Sequence, residues 1–235
     1  MMAMKATPLR VLCLHSFRTS ARLMRQQMEA LSNWAAALEP NVSLSYLDAP
    51  YECTEADEAK IPERLRRVFP GPYHEWWNAR DEQGRIVYDH LDASIEAVRA
   101  HAAREGPFDG VLGFSQGGSL AHMLCALRLL EPAPRFAILI GCRLSRHHEH
   151  IASIQALRAA PCPTPALVVI GEADTDVPPA DTYDLAATMR DPEVIVVPKG
   201  THRIPMLAEE HAATLSAFVA RAARGEAGGA AGARL

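Results

Sequence analysis

Phe108-Asp-Gly-Val-Leu-Gly-Phe-Ser115-Gln-Gly-Gly118 is the stretch on which the reading of this chain turns. Phe108–Leu112 is a short apolar run of strand type, and Ser115–Leu130 carries the apolar spacing of a helix. Gly113-Phe-Ser115-Gln-Gly117 therefore spans a sharp strand-to-helix turn. A serine at the tip of such a turn is held in a strained conformation with its hydroxyl exposed. Glycines two residues to either side let neighbouring backbones come close, and the helix aims its N-terminal amides at the hydroxyl. An ordinary N-cap serine in a glycine-rich turn is the plainer alternative, and residues elsewhere in the chain decide between the two.

Working outward, strands and helices alternate. Leu9–Leu14 reads as a strand, His15-Ser-Phe-Arg18 as a loop, and Ala21 to about Leu38 as a helix capped by Thr19 or Ser20. Val42–Leu47 alternates like a half-buried strand. Further strands are expected at Arg135–Ile140, Ala166–Ile170 and Glu193–Val197. Helices are expected from Tyr88 to about Arg104, at Pro178–Met189 and from about Pro205 to Arg224. This order implies a mainly parallel sheet covered on both faces. Asp48–Gly84 has no clean period but holds Phe69, Tyr73, Trp76 and Trp77. It reads as a cap-like insertion packed through those aromatics, with a short helix near Glu55–Val68. The chain thus divides into one domain over 1–224, with the insertion at about 48–84, and a Gly/Ala-rich tail, 225–235, expected to be disordered.

Two loops just past strand ends supply partners for Ser115, where open parallel sheets place their sites. Gly171-Glu-Ala-Asp174-Thr-Asp176-Val-Pro178 follows one strand, and Pro198-Lys-Gly-Thr-His202-Arg-Ile-Pro205 the next. A serine nucleophile needs a base, and the base needs an acid to orient it, in the chain order Ser, acid, His for this architecture. His202 is the candidate base. Asp174 is the better-placed acid, with Asp176 in the same loop as its rival. The oxyanion of acyl transfer needs two backbone donors: the amide of Gln116 and, from the first-strand loop, that of Phe17. His15 is read as a structural loop residue. Trp76, Trp77, Phe69 and Met206 are the candidate substrate-binding residues, or else core residues and anchors of the insertion.

Composition sets the remaining bounds. The chain has 235 residues, a formal charge of −4 and five cysteines with no Cys-x-x-Cys pair. That argues against a nucleic-acid partner, a disulfide framework and a zinc ribbon. No stretch approaches a membrane span, and Met1–Arg10 has no apolar run suited to a signal segment, so a soluble, reducing, cytoplasmic setting is expected. His147, His148 and His150 do not follow a favoured metal-ligand spacing and are read as a polar turn; no metal site is expected. No dinucleotide or P-loop pattern occurs, and the chemistry calls for no cofactor.

Gly106-Pro-Phe-Asp-Gly-Val-Leu-Gly-Phe-Ser-Gln-Gly-Gly118 resembles the FSH family of serine hydrolases, which includes the ovarian-cancer-associated protein 2 homologues and fungal polyketide-releasing thioesterases. Leu14-His-Ser-Phe-Arg18, Trp76-Trp77, Gly171–Pro178 and Gly200–Pro205 fit the same family in the same order, so the resemblance spans about Leu9 to Ala220. It implies an α/β-hydrolase fold and hydrolysis of small to medium acyl esters or thioesters. It assigns the nucleophile to Ser115, the acid to Asp174 and the base to His202. An acyl carrier protein is an implied possible partner, and acyl transfer an alternative use of the same acyl-enzyme. A non-catalytic binding protein on this scaffold would be expected to lack a triad member, and all three residues are present. The chain departs from the pattern at Ser16 and Thr201, where glycine is usual. A side chain restricts positive φ, so three readings of Ser16 stand open: it crowds the oxyanion loop, it forces a different backbone angle there, or its hydroxyl adds a donor.

Overall fold

The computed structural model describes residues 7–226. The first elements are β1 (Leu9–Leu14), α1 (Ala21–Glu29), α2 (Trp34–Leu38) and β2 (Val42–Leu47). The insertion follows with β3 (Tyr51–Glu52), α3 (Glu55–Glu58), α4 (Glu63–Val68), β4 (His74–Glu75), β5 (Asn78–Glu82) and β6 (Arg85–Asp89). Then come α5 (Leu91–Glu105), β7 (Gly110–Phe114), α6 (Gln116–Ala126), β8 (Phe136–Ile140) and α7 (Ile151–Ala159). The last are β9 (Ala166–Gly171), α8 (Pro179–Ala186), β10 (Glu193–Val197) and α9 (Glu209–Arg224).

Six strands form one sheet in the order β10-β9-β8-β7-β1-β2, and every pairing in it is parallel. Alternate residues of each strand face opposite sides, as the pleat requires. Leu12, Leu14, Val111, Leu139 and Val168 pack with Ile95 and Val98 of α5, Leu120 and Leu124 of α6 and Leu185 of α8. Val11, Cys13, Leu112, Ile138 and Val169 pack with Met24 and Met28 of α1, Trp34 of α2 and Leu215 and Phe218 of α9. Helices therefore cover both faces. After β1 the chain goes to β2 on one side, then returns to β7 on the other. This reversal opens a crevice at the carboxyl ends of β1 and β7, where sheets of this kind bind ligands.

Several boundaries differ from expectation. The helix expected over Ala21–Leu38 is two helices, broken where Ser32 Oγ donates to the Gln27 carbonyl at 2.7 Å. Trp34 and Leu38 still face the core, so the apolar spacing runs across the break. Ser20, not Thr19, caps α1, accepting from the Leu23 amide at 3.3 Å. The single helix expected near Glu55–Val68 is two, with Pro62 starting the second. The insertion continues past Gly84 as a β5–β6 hairpin closed by Gln83-Gly84, both at positive φ (56° and 84°), the geometry of a tight two-residue turn. The final helix begins at Glu209 rather than near Pro205, and α7 was not anticipated. Most of the tail expected to be disordered lies outside the described residues. Among the described residues, no helix is long and apolar enough to cross a membrane.

Candidate active site

Ser115 sits between β7 and α6 at φ 54°, ψ −117°. A non-glycine residue rarely adopts such a backbone, and it persists only where surroundings enforce it. Two contacts do so here: the Ser115 amide donates to the Ile140 carbonyl at 2.9 Å, and its carbonyl accepts from the Ser119 amide at 2.9 Å. The flanking glycines are needed for close approach. A Cβ on Gly113 would lie 2.2 Å from the Gly117 oxygen, and one on Gly117 2.1 Å from the Leu14 oxygen. The turn that carries Ser115 thus rests backbone to backbone on the end of β1.

The loops after β9 and β10 are joined in the same manner. The Ala173 amide donates to the Gly200 carbonyl at 2.8 Å, and a Cβ on Gly171 would lie 2.7 Å from that oxygen. This brings Asp174 and His202 together. His202 Nδ1 lies 2.7 Å from Asp174 Oδ2, and His202 Nε2 lies 2.8 Å from Ser115 Oγ. Asp174 is buried, and its other oxygen accepts the amides of Asp176 and Val177, each at 2.9 Å. Both oxygens of that carboxylate are thereby engaged, and Nδ1 of His202 is the ring nitrogen that donates to it. The His202 ring lies against Phe114, with centroids 5.0 Å apart. Asp176, the rival acid, is exposed and contributes its backbone amide to Asp174.

Gln116 is the first residue of α6, so its amide has no partner within the helix. The Phe17 amide likewise makes no backbone hydrogen bond among the described residues. The loop that carries Phe17 is held by His15, which is fully buried. Its Nε2 accepts the Ala49 amide at 2.9 Å, and its Nδ1 lies 2.8 Å from the Ser16 carbonyl. These partners require the neutral tautomer with the proton on Nδ1, and burial lowers the imidazole pKa to about 4. The positive φ of the loop falls at Arg18 (51°), not at Ser16. Ser16 is therefore accommodated without a left-handed backbone. Thr201 is likewise not among the residues at positive φ.

The residues expected to line a substrate pocket divide. Trp76 is fully buried and Trp77 nearly so, stacked on Tyr88 at 4.9 Å between centroids. Both pack in the core and anchor the insertion, so they offer almost no surface to a ligand. Phe69 packs with Leu23, Cys53 and Tyr73 in a separate small cluster under the insertion. Met206 is 62% exposed, on the loop after His202, and Phe17 is 38% exposed. His147 is buried and half-buried His148 and His150 flank it; among the described residues no cluster of three or more His, Cys, Asp or Glu is arranged to hold a metal ion.

Arg18 was read only as part of a motif, yet it ties the Phe17 loop to the insertion. Its guanidinium pairs with Asp57 at 2.8 Å and with buried Glu75 at 3.4 Å, and it lies over the Phe17 ring. Burial raises the Glu75 pKa, opposed by Arg18. The side chain of Gln116 was also missed: Oε1 accepts the Trp76 amide at 2.9 Å and Nε2 donates to the Trp77 carbonyl at 2.8 Å. These partners lie about 40 residues apart, and no local pattern announces them.

Comparison with known proteins agrees with this architecture. Esterase OVCA2 of Danio rerio is 33% identical over 235 aligned residues, covering 93% of this chain and 99% of the relative. Esterase OVCA2 of Homo sapiens is 32% identical, covering 88% and 94%. The crystal structure of Zea mays acyl-protein thioesterase 2 shares the fold, with a TM-score of 0.60 at 18% identity over 93% of this chain and 95% of that one. The family model for serine hydrolase (FSH1) matches residues 3–214, and the chain belongs to that family of hydrolytic enzymes.

Proposed function

We propose that the protein hydrolyses carboxylic esters or thioesters of small to medium acyl groups through an acyl-Ser115 intermediate. The observation that carries this reading is the unbroken hydrogen-bonded chain from Ser115 Oγ through His202 to Asp174, at 2.8 and 2.7 Å. His202 takes the Ser115 proton as Oγ attacks the acyl carbon, and Asp174 stabilises the resulting imidazolium. The amides of Phe17 and Gln116 receive the developing oxyanion. His202 then protonates the leaving group and activates the water that releases the acid.

Exposed Phe17 and Met206, on the loops beside the triad, support an apolar acyl group at the mouth of the site. Five free, buried cysteines support a reducing, cytoplasmic setting. The test is turnover on short, medium and long acyl esters beside acyl-thioesters, free and on a carrier protein. Turnover should fall by about 10⁴-fold or more in Ser115→Ala, together with loss of labelling by a serine-directed phosphonate. Equal turnover by wild type and Ser115→Ala would sink the proposal. A competing alcohol in the same assay separates hydrolysis from acyl transfer by its products.

A further inference from the structure

Trp76 makes more directed contacts than a core aromatic requires. Its indole Nε1 donates to the His15 carbonyl at 2.9 Å, and its backbone amide donates to Gln116 Oε1 at 2.9 Å. Its carbonyl accepts from the Ser94 hydroxyl of α5. The three partners stand on three different elements: the loop after β1, the start of α6, and α5. Two of them belong to the segments that carry the Phe17 and Gln116 amides. Gln116 spends both halves of its side-chain amide on Trp76 and Trp77, and the partners dictate its orientation: an amide N–H needs the oxygen and a carbonyl needs the nitrogen.

The two amide-bearing segments already touch directly, since a Cβ on Gly117 would lie 2.5 Å from the His15 oxygen. That oxygen is the one the indole holds. Fixing it fixes the His15–Ser16 peptide plane, and the Phe17 amide lies one peptide further along. Buried polar groups are costly unless paired, so a network in which every polar group is paired holds one geometry.

We propose that Trp76 is a positioning residue that locks the loop of Phe17 and the start of α6 at the separation at which their two amides can share one oxyanion. The proposal rests on the hydrolase reading above. Trp76 acts through the His15 carbonyl and the Gln116 side chain and touches no substrate. It couples the insertion to the chemistry, because Trp76, with Trp77, anchors the insertion in the core.

Trp76→Phe keeps an aromatic ring in the cavity and removes the indole N–H. Replacement of Trp76 by benzothienylalanine, a sulfur isostere of nearly the same shape, removes the same donor with less disturbance of packing. Both should lower kcat about tenfold or more while KM stays within about twofold, since the loss falls on the transition state. Inhibition by a trifluoromethyl ketone, whose adduct with serine places an oxyanion in the hole, should weaken in parallel. Gln116→Ala retains its own amide and should show the same split. If the isostere and Trp76→Phe both keep kcat and ketone affinity within about twofold, or if the loss appears in KM alone, the positioning role is overturned. If wild type shows no Ser115-dependent turnover, the hydrolase reading falls and the positioning role with it. These two failures are distinguished by the wild-type assay.

Discussion

Gly117 and the carbonyl of Leu14 stand so close that the smallest side chain on Gly117 would put Cβ 2.1 Å from the Leu14 oxygen. The contact is backbone against backbone, so neither side can rotate away. Gly117→Ala should therefore destabilise the protein by about 3 kcal/mol or more, the upper range for forcing extra volume into a packed interior. Gly84→Ala provides the contrast: it has nothing within 4 Å and only its φ of +84° to oppose a side chain, so about 1 kcal/mol is expected. Urea midpoints of the two variants check the order.

Asp174 and Asp176 share one loop, but only Asp174 meets His202. Asp174→Asn should lower kcat by about 10³–10⁴-fold, because the amide no longer holds the imidazole in the donating tautomer or stabilises its cation. Asp176→Asn should leave kcat within about twofold, since its backbone amide supplies the bond to Asp174. A larger loss at Asp176 than at Asp174 would reverse the assignment.

Two buried histidines set an acid limit on stability. Burial lowers the pKa of both His15 and His122 from 6.5 to about 4. In the unfolded chain each takes a proton near 6.5, so between these values the unfolded state binds more protons. Their contribution is complete above about pH 6.5, falls as the pH drops, and is lost below about 4. The loss is up to about 3 kcal/mol for each histidine. Unfolding midpoints from pH 7.5 to 4 check it, and His122→Gln should flatten the slope over that window.

Arg18 joins the Phe17 loop to Asp57 and Glu75 of the insertion. Arg18→Ala leaves Glu75 buried without its cation, at an expected cost of about 3 kcal/mol, the low end for a broken buried pair. Adding Glu75→Gln should recover part of that loss, because the orphaned charge is gone. Limited proteolysis should cut the 55–70 segment faster in Arg18→Ala than in wild type. A double-mutant cycle with no coupling would exclude the tie.

The residues of the candidate site were legible where local chemistry and spacing coincide. Ser115 was marked by its glycines, and Asp174 and His202 by loops that follow apolar strands. Gly171 and Gly200 proved to be the residues that let those two loops touch. What was not legible depends on distant partners. Arg18 carries no signal of Asp57, and the Gln116 side chain gives no hint that it binds the backbone at Trp76 and Trp77. The β5–β6 hairpin has no legible period because Arg80, Asp81 and Glu82 interrupt the alternation that marks a strand, and β5 is largely exposed while β6 packs inward at Tyr88. Trp76 and Trp77 were visible as large apolar residues, but whether they lined a pocket or filled the core depended on packing.

The order of strands in the sheet also bears on when the proposed site can assemble. The segments bearing Phe17 and Ser115 lie on adjacent strands and are complete once β7 pairs with β1. The imidazole comes from the loop after β10, which pairs only with β9 at the outer edge. A chain folded only as far as β8 holds the Ser115 hydroxyl without the histidine that the proposed mechanism uses as its base. Docking of the two outer strands, β9 and then β10, supplies the closing edge of the sheet and brings Asp174 and His202 to Ser115. On the proposed mechanism, hydrolytic competence therefore waits for that outer edge of the sheet.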